Sequence, residues 1–485
     1  MKTLIYGDST KTFLLCVILA CLTLLLYRSC LDKYFAMEDF LCISWVEEEG
    51  FEGVAKSYYT DNAYGVYRPT SIHIYYYLCR QLFGLDPLGY HAIDLISHTI
   101  NVILVFALAL LLSGKRWVGF LAGTTYMTRL SHYIAVFWVS GISEVWAVLF
   151  SLLSLISFVL LCKHKNPFFL AASLVSFALA LTCKESAVTL PFVLLCYVCL
   201  FSNDFSLRRV ATRIGPFMVV LALYLVLKLV ILKPMVGAFY EVGVGAWSLR
   251  NLVLYSLWQV NALYLSIMSI GFFTDISPYR YLGDIAAVWS VFSLVLLLCL
   301  GFLCLGRRKA FARLKSILID PRNRVALFGL AAFFVSLAPA LLLKNRLQEY
   351  YLSVPSIGFS LFAAAILGGF KRKWLAGAFV LGMVVSNILG FALLDRLPDG
   401  RTSVEARDFL VELNEIINSK EQVDTIYVRN GTTFLYQVLW NGEAFNSFLN
   451  RPVPVVFDFQ QAEPPVGGVV VELDYDGRHL REIAE

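Results

Sequence analysis

The chain has 485 residues, of which 59% are hydrophobic and only 15% charged, and its mean hydropathy is +0.70. That balance excludes a water-soluble globule, which needs far more polar residues to cover its surface, and it predicts a polytopic membrane protein. The net charge of +5 is accounted for by short basic loops between apolar stretches, so no nucleic-acid partner is indicated.

The first apolar segment, Phe13 to Tyr27, follows Lys2 and Lys11 and ends in Tyr27, Arg28 and Ser29 without a small-residue cleavage pattern. It therefore reads as a retained signal anchor. Further stretches of bilayer-crossing length lie near 90 to 113, 117 to 135, 142 to 162, 167 to 183, 186 to 202, 213 to 233, 285 to 305, 325 to 343, 351 to 370 and 374 to 394. This makes about eleven transmembrane helices. Basic clusters fall at every second boundary: Lys2 with Lys11, Lys115 with Arg116, Lys163 with Lys165, Arg208 with Arg209 and Arg213, the run from Arg307 to Lys315, and Lys371 to Lys373. By the positive-inside rule these loops and the N-terminus are cytoplasmic.

The same parity keeps 70 to 83 and 249 to 272 from counting as spans, although both are apolar, and predicts that they lie along the outer interface or re-enter the membrane. Two long outer loops follow, 29 to 89 and 234 to 284. The chain thus divides into a transmembrane region, 1 to 394, and a tail, 395 to 485, richer in Asp, Glu, Asn, Pro and Gly. The tail reads as a helix (Val404 to Ser419), a strand (Val423 to Val428), a helix (Thr432 to Leu449) and strands at Val453 to Phe459 and Gly468 to Leu473, a small extracytoplasmic α/β domain. All 11 cysteines precede residue 305 and most fall inside predicted spans, so no disulfide framework is implied.

Chemistry is concentrated in the outer loops and at outer span ends. Glu38 and Asp39 are adjacent carboxylates behind Tyr34, Phe35 and Met37, which press them toward the membrane surface, where a carboxylate's pKa rises and it can act as a base. Capping of a helix is the other reading of the pair. Glu47, Glu48, Glu49 and Glu52 read as the solvated start of an amphipathic helix. His91, Asp94 and His98 share one helix face. An interhelical hydrogen-bond stripe is preferred there over a metal site, for want of a further close ligand.

Four blocks then recur in a recognisable order: RPTSIHIYYYLCRQLFGLDPLGYHAIDLISHTIN from Arg68, HYIAVFWVSGISE from His132 to Glu144, LALTCKESAVTLP around Lys184, Glu185 and Pro191, and QEYYLSVPSIGFSL around Glu349, Pro355 and Gly358. Together they resemble the membrane glycosyltransferases of the GT-C fold, in the branch of bacterial protein O-mannosyltransferase-like enzymes. The tetratricopeptide-bearing transmembrane O-mannosyltransferases are akin, but no such repeat follows here. The likeness covers 30 to 200 well and 340 to 360 loosely. Arg129 and Leu130 stand where members often carry His-Pro, Ile134 where they carry Glu, and Tyr350 where they carry Arg.

The resemblance implies an all-α GT-C-like membrane fold and inverting transfer of a sugar from a polyprenyl-phosphate donor to a glycan, lipid or protein acceptor. Asp39 would be the catalytic base, with Glu38 where many members have a first Asp. Cations must meet the departing phosphate. Lys184 is the first choice, with Arg346, Arg68, Lys344 and Arg280 as the others, and His132, Glu144, Glu185, His91 and Glu349 as supporting residues. No cofactor is implied by the residues themselves, and assistance by a divalent cation is left open. The alternative is a non-enzymatic glycan or lipid transporter, or an assembly scaffold, with the same architecture. Ionisable residues gathered at span ends rather than at the bilayer midplane favour the enzyme. Short cytoplasmic loops and the lack of a disulfide framework suggest a bacterial inner membrane.

Overall fold

The structure, a computed structural model, describes residues 9–60, 66–202, 206–228, 242–261, 323–344, 348–370, 373–394, 398–439, 441–457, 469–476 and 479–483. The expected span 285 to 305, most of the loop 234 to 284, Arg280, Arg346 and Trp440 lie outside the described residues.

Helix α1 (Ser9–Tyr27) is followed by α2 (Glu38–Lys56), then a π-helical turn at Pro69–Ile74 that runs straight into α3 (Tyr75–Phe83). The long α4 (Pro87–Ser113) begins where Asp86 accepts from the Leu88 N–H and Pro87 supplies a preset φ, and it ends at Gly114 with φ 70. Next come α5 (Arg116–Met127), α6 (Tyr133–Phe137), α7 (Ile142–His164) and α8 (Pro167–Cys183), the last capped by Asn166. They are followed by α9 (Leu190–Phe201), α10 (Leu207–Val226), α11 (Ala246–Asn261), α12 (Arg324–Leu341), α13 (Pro355–Gly368) and α14 (Lys373–Leu394).

Five stretches among the described residues are long and apolar enough to cross a membrane: Ser9–Asp32, Pro87–Ser113, Val139–His164, Leu207–Val226 and Arg324–Leu341. Four more apolar helices are shorter, at Pro167–Cys183, Glu185–Phe201, Pro355–Gly368 and Ala376–Phe391. Helices of this number and apolarity make the chain a multi-pass integral membrane protein. Their packing uses the devices expected where the hydrophobic effect cannot drive association. Ser154 and Ser173 each donate to the other's backbone carbonyl at 2.8 Å across α7 and α8. In α12 and α13, Gly329 and Gly358 face one another so closely that a Cβ at Gly358 would stand 2.4 Å from the Phe333 nitrogen.

Two expected elements are corrected. The span read at 117 to 135 is not one helix: α5 stops at Met127, Leu130–His132 forms a 3₁₀ turn, and α6 follows. The break turns Arg129, which is 0% exposed, into the interior, where its Nε donates to the Thr125 carbonyl and its guanidinium to the Gln259 carbonyl, both at 3.1 Å. A charged side chain in an apolar bundle needs such partners, and a straight helix would have aimed it elsewhere.

In the tail, α15 (Pro398–Ser419) leads to β1 (Thr425–Arg429), and the helix expected at Thr432 to Leu449 is two short ones, α16 (Thr433–Val438) and α17 (Ala444–Phe448). Asn441 and Gly442, at φ 56 and 95, reverse the chain between them. Strands β2 (Val455–Phe457), β3 (Val470–Tyr475) and β4 (Leu480–Glu482) complete a sheet of order β2-β1-β3-β4, parallel except for the antiparallel β4, which the sequence did not signal. Its buried face (Ile426, Val428, Phe457, Val471, Leu473) packs in one continuous apolar cluster with Phe409 and Leu413 of α15, with Phe448, and with Phe35, Phe40 and Ile43 beside α1 and α2.

Candidate active site

Asp39 is the second residue of α2 and is fully buried. Its Oδ1 accepts from the Tyr76 hydroxyl at 2.6 Å, the Ser140 hydroxyl at 2.8 Å and the Ser140 N–H at 2.9 Å, while Oδ2 accepts from the Ala36 N–H at 2.9 Å. The Tyr76 and Ser140 oxygens themselves lie 2.8 Å apart, so the two hydroxyl protons are shared among three close oxygens. Burial pushes the Asp39 carboxyl up from 3.8 to about 6, and the four donors work against that rise. A carboxylate at this value is ionised at neutral pH yet basic enough to take a proton. Oδ2, with one donor, keeps the larger accepting capacity.

The turn ahead of Asp39 is unusual. Met37 has φ 57 and ψ −125, a conformation costing a non-glycine residue about 1–3 kcal/mol. It is held by the Met37 N–H donating to the Val438 carbonyl at 2.6 Å, and by the Trp138 indole N–H donating to the Ala36 carbonyl at 3.1 Å. Glu38, beside it, is half-buried at the helix start. Asp39 is thus both a local acceptor for the Ala36 N–H, a contact that caps neither α1 nor α2, and the centre of a long-range cluster.

From Ser140 the polar cluster continues. Ser143, one turn along, shares a 2.9 Å hydrogen bond with Ser71, which also donates to the Cys183 carbonyl at 2.9 Å. Next to Cys183, Lys184 pairs with Glu144 at 2.5 Å, both almost fully buried, and stands over the Tyr350 and Tyr351 rings at 4.6 and 5.6 Å. Glu185 takes Arg68 through Nε and Nη2 at 3.2 and 3.0 Å, and Lys228 at 2.9 Å. Three cations thus meet two carboxylates, and all three ion pairs are sheltered enough to matter. Glu349, also buried, opens the 3₁₀ turn that carries Tyr350 and Tyr351.

All these groups sit at one end of the helices: the start of α7, the end of α8, the turn before α9 and the turn before α13. Arg68, Glu144, Lys184 and Glu185 are therefore brought together, with Glu349 in the turn that carries Tyr350 and Tyr351, while Asp39 is held by Tyr76 and Ser140, one turn of chain ahead of Glu144. His91 is buried on α4, and His132 lies elsewhere, its ring packed against Tyr126 and His98 at centroid separations of 4.4 and 5.0 Å. Asp94 accepts from Tyr75 at 2.7 Å, so the His91, Asp94 and His98 face makes an interhelical contact. Among the described residues no three His, Cys, Asp or Glu side chains gather as a metal ion requires. Tyr76 and Lys228 are the site residues that sequence reading missed. Tyr76 is one of three successive tyrosines, and only the helix phase set by the turn at Pro69–Ile74 selects it; Lys228 lies inside the stretch read as the span 213 to 233.

No protein-family model matches the chain, and no curated protein sequence matches it. Among solved structures, that of ArnT from Cupriavidus metallidurans bound to undecaprenyl phosphate covers 95% of this chain and 93% of its own at 14% identity, with a TM-score of 0.49. That similarity is too low to establish a shared fold.

Proposed function

We propose that the chain is a membrane glycosyltransferase of GT-C type that transfers a sugar from a polyprenyl-phosphate donor to an acceptor hydroxyl. One observation carries the reading: four sequence blocks separated by up to hundreds of residues, each resembling a GT-C element, contribute Arg68, Ser140 with Glu144, Lys184 with Glu185, and the turn begun by Glu349 to neighbouring parts of one polar end. An unrelated bundle has no reason to converge on these positions.

In the proposed reaction the acceptor oxygen attacks the anomeric carbon as Asp39 Oδ2 takes its proton. The bond from that carbon to the phosphate oxygen breaks, and its electron pair leaves on the lipid phosphate. Attack opposite the leaving group inverts the anomeric centre. Lys184, Arg68 and Lys228 carry one positive charge more than Glu144 and Glu185 neutralise, so an incoming phosphate gains from their field in a poorly hydrated setting. The same reading places the protein in a bacterial inner membrane, in the branch near the O-mannosyltransferases, with a glycan, lipid or protein as acceptor.

The competing reading, a non-enzymatic transporter or scaffold, draws on Asp39 being 0% exposed. Purified protein in liposomes with lipid-linked sugars decides between them. Consumption of a lipid-linked sugar that Asp39→Asn slows by roughly 10²–10⁴, the loss expected for a positioned base, supports the enzyme. Glu38→Gln should do less, and indifference to both substitutions would remove the catalytic assignment.

A further inference from the structure

The tail has no role in the chemistry above, yet it touches the turn that carries the base. The Val438 carbonyl, at the end of α16, accepts the N–H of Met37 at 2.6 Å. Phe448, the last residue of α17, is buried with its ring edge-on to Phe35 at 5.5 Å and Phe40 at 4.9 Å, so it contacts the chain on both sides of Asp39. The neighbouring Ser447 shares a 3.1 Å hydrogen bond with Ser44 and donates to Glu47 at 2.5 Å, both on α2. Lys184 pairs instead with Glu144, and Arg68 and Lys228 with Glu185.

We propose that the tail is a positioning clamp for Asp39, with Phe448 as its key and the Val438 carbonyl as its latch. Met37 sits at φ 57, which an isolated turn would leave. Its release would carry away Ala36, whose N–H holds Asp39 Oδ2 and whose carbonyl holds Trp138. Contacts made some 400 residues later in the chain keep that turn in place. Positioning to within a fraction of an ångström is what general-base catalysis demands, and a base at a helix start behind a strained turn needs neighbouring contacts to supply it. Phe448 touches no reacting atom and acts only through Phe35, Phe40 and the turn. The inference rests on the proposed role of Asp39, but its geometry does not.

The test uses the full-length protein in liposomes. Phe448→Ala should lower turnover of the lipid-linked sugar about tenfold or more while leaving the apparent donor affinity within about twofold, because the cation cluster is separate. Phe448→Tyr, which keeps the ring, should recover most of the rate. Because Phe448→Ala can also weaken the fold, a pair of cysteines replaces Ser44 and Ser447 in the same background. Oxidation should then restore turnover and reduction abolish it again. Equal rates in wild type and Phe448→Ala, or a loss that oxidation leaves unchanged, would overturn the clamp. Carbodiimide labelling of Asp39 separates this from the function: it should rise in Phe448→Ala and fall on oxidation of the cysteine pair. That pattern in a protein that consumes no lipid-linked sugar would sink the enzyme reading and keep the clamp, whereas unchanged labelling would sink the clamp alone.

Discussion

At the scale of single residues, Asp39 ties pH to both rate and stability. Its folded-state pKa, raised from 3.8 to about 6, means that folding favours the protonated form. The stability it lends is therefore full below the unfolded value and is lost as pH rises through about 6. Activity runs the other way, since the base must be ionised: the rate should climb through a midpoint near 6 and level off, and Asp39→Asn should remove that limb. Thermal unfolding of the two proteins at pH values on either side of that midpoint should show the balance moving toward Asp39→Asn as pH rises. The amide still accepts from Tyr76 and Ser140, but its NH₂ would face the Ala36 N–H, which adds a pH-independent penalty. Among the cations, Lys228→Ala should weaken donor binding by about three- to tenfold, a range set by the loss of one charge-assisted contact, partly offset by Arg68 on Glu185. Lys115→Ala, remote from the cluster, is the control in equilibrium binding of the donor. Equal affinities in the two variants would take Lys228 out of the phosphate site.

At the scale of elements, the crossing of α12 and α13 is the most demanding contact. A Cβ at Gly358 would stand 2.4 Å from the Phe333 nitrogen and 2.5 Å from the Gly329 carbonyl oxygen, both main-chain atoms that cannot swing aside. Gly358→Ala should therefore push the helices apart and cost roughly 1–3 kcal/mol, the usual price of overpacking, read as a lower unfolding temperature in detergent. Because α13 begins directly after the turn holding Tyr350 and Tyr351, the same change should also loosen the rings over Lys184. Gly377, with open space around it, is the control: Gly377→Ala should change little. The break between α5 and α6 shows the converse logic, an element interrupted so that Arg129 finds carbonyl partners.

At the scale of the whole molecule, alternating basic loops make a prediction about orientation. Lys115 and Arg208 should face the cytoplasm, with Asp39 and the tail on the opposite side, because only that arrangement keeps successive basic clusters on one face. Cysteine-accessibility labelling in intact cells checks this. Reagent reaching a cysteine at Asn430 from the cytoplasmic side alone would defeat the arrangement and put the base on the wrong face for an extracytoplasmic acceptor. The continuous apolar cluster linking the tail to α2 requires the tail and Asp39 to be on the same side, whichever side that is.

The apolar helices were legible from composition and run length, because a bilayer leaves a chain no other way to satisfy its backbone. Starts and stops at Asp86, Asn166 and Gly114 are local chemistry and needed no partner. Asp39, Lys184, Arg68, Glu144 and Glu185 stood out as charges that an apolar chain keeps at a cost. Their pairings did not, since which cation meets which carboxylate depends on the register of helices far apart in sequence. Tyr76 was selected by the phase of one helix turn, Lys228 by the approach of α10, and the hold on Met37 by a carbonyl some 400 residues away. The single helix expected at Thr432 to Leu449 failed because its apolar residues serve two neighbours at once, the sheet through Leu435 and Leu439 and α2 through Phe448. Sequence alone determined that this chain lives in a membrane and which of its charges are costly; tertiary structure decided which of them meet, because contact is a property of packing and not of order along the chain.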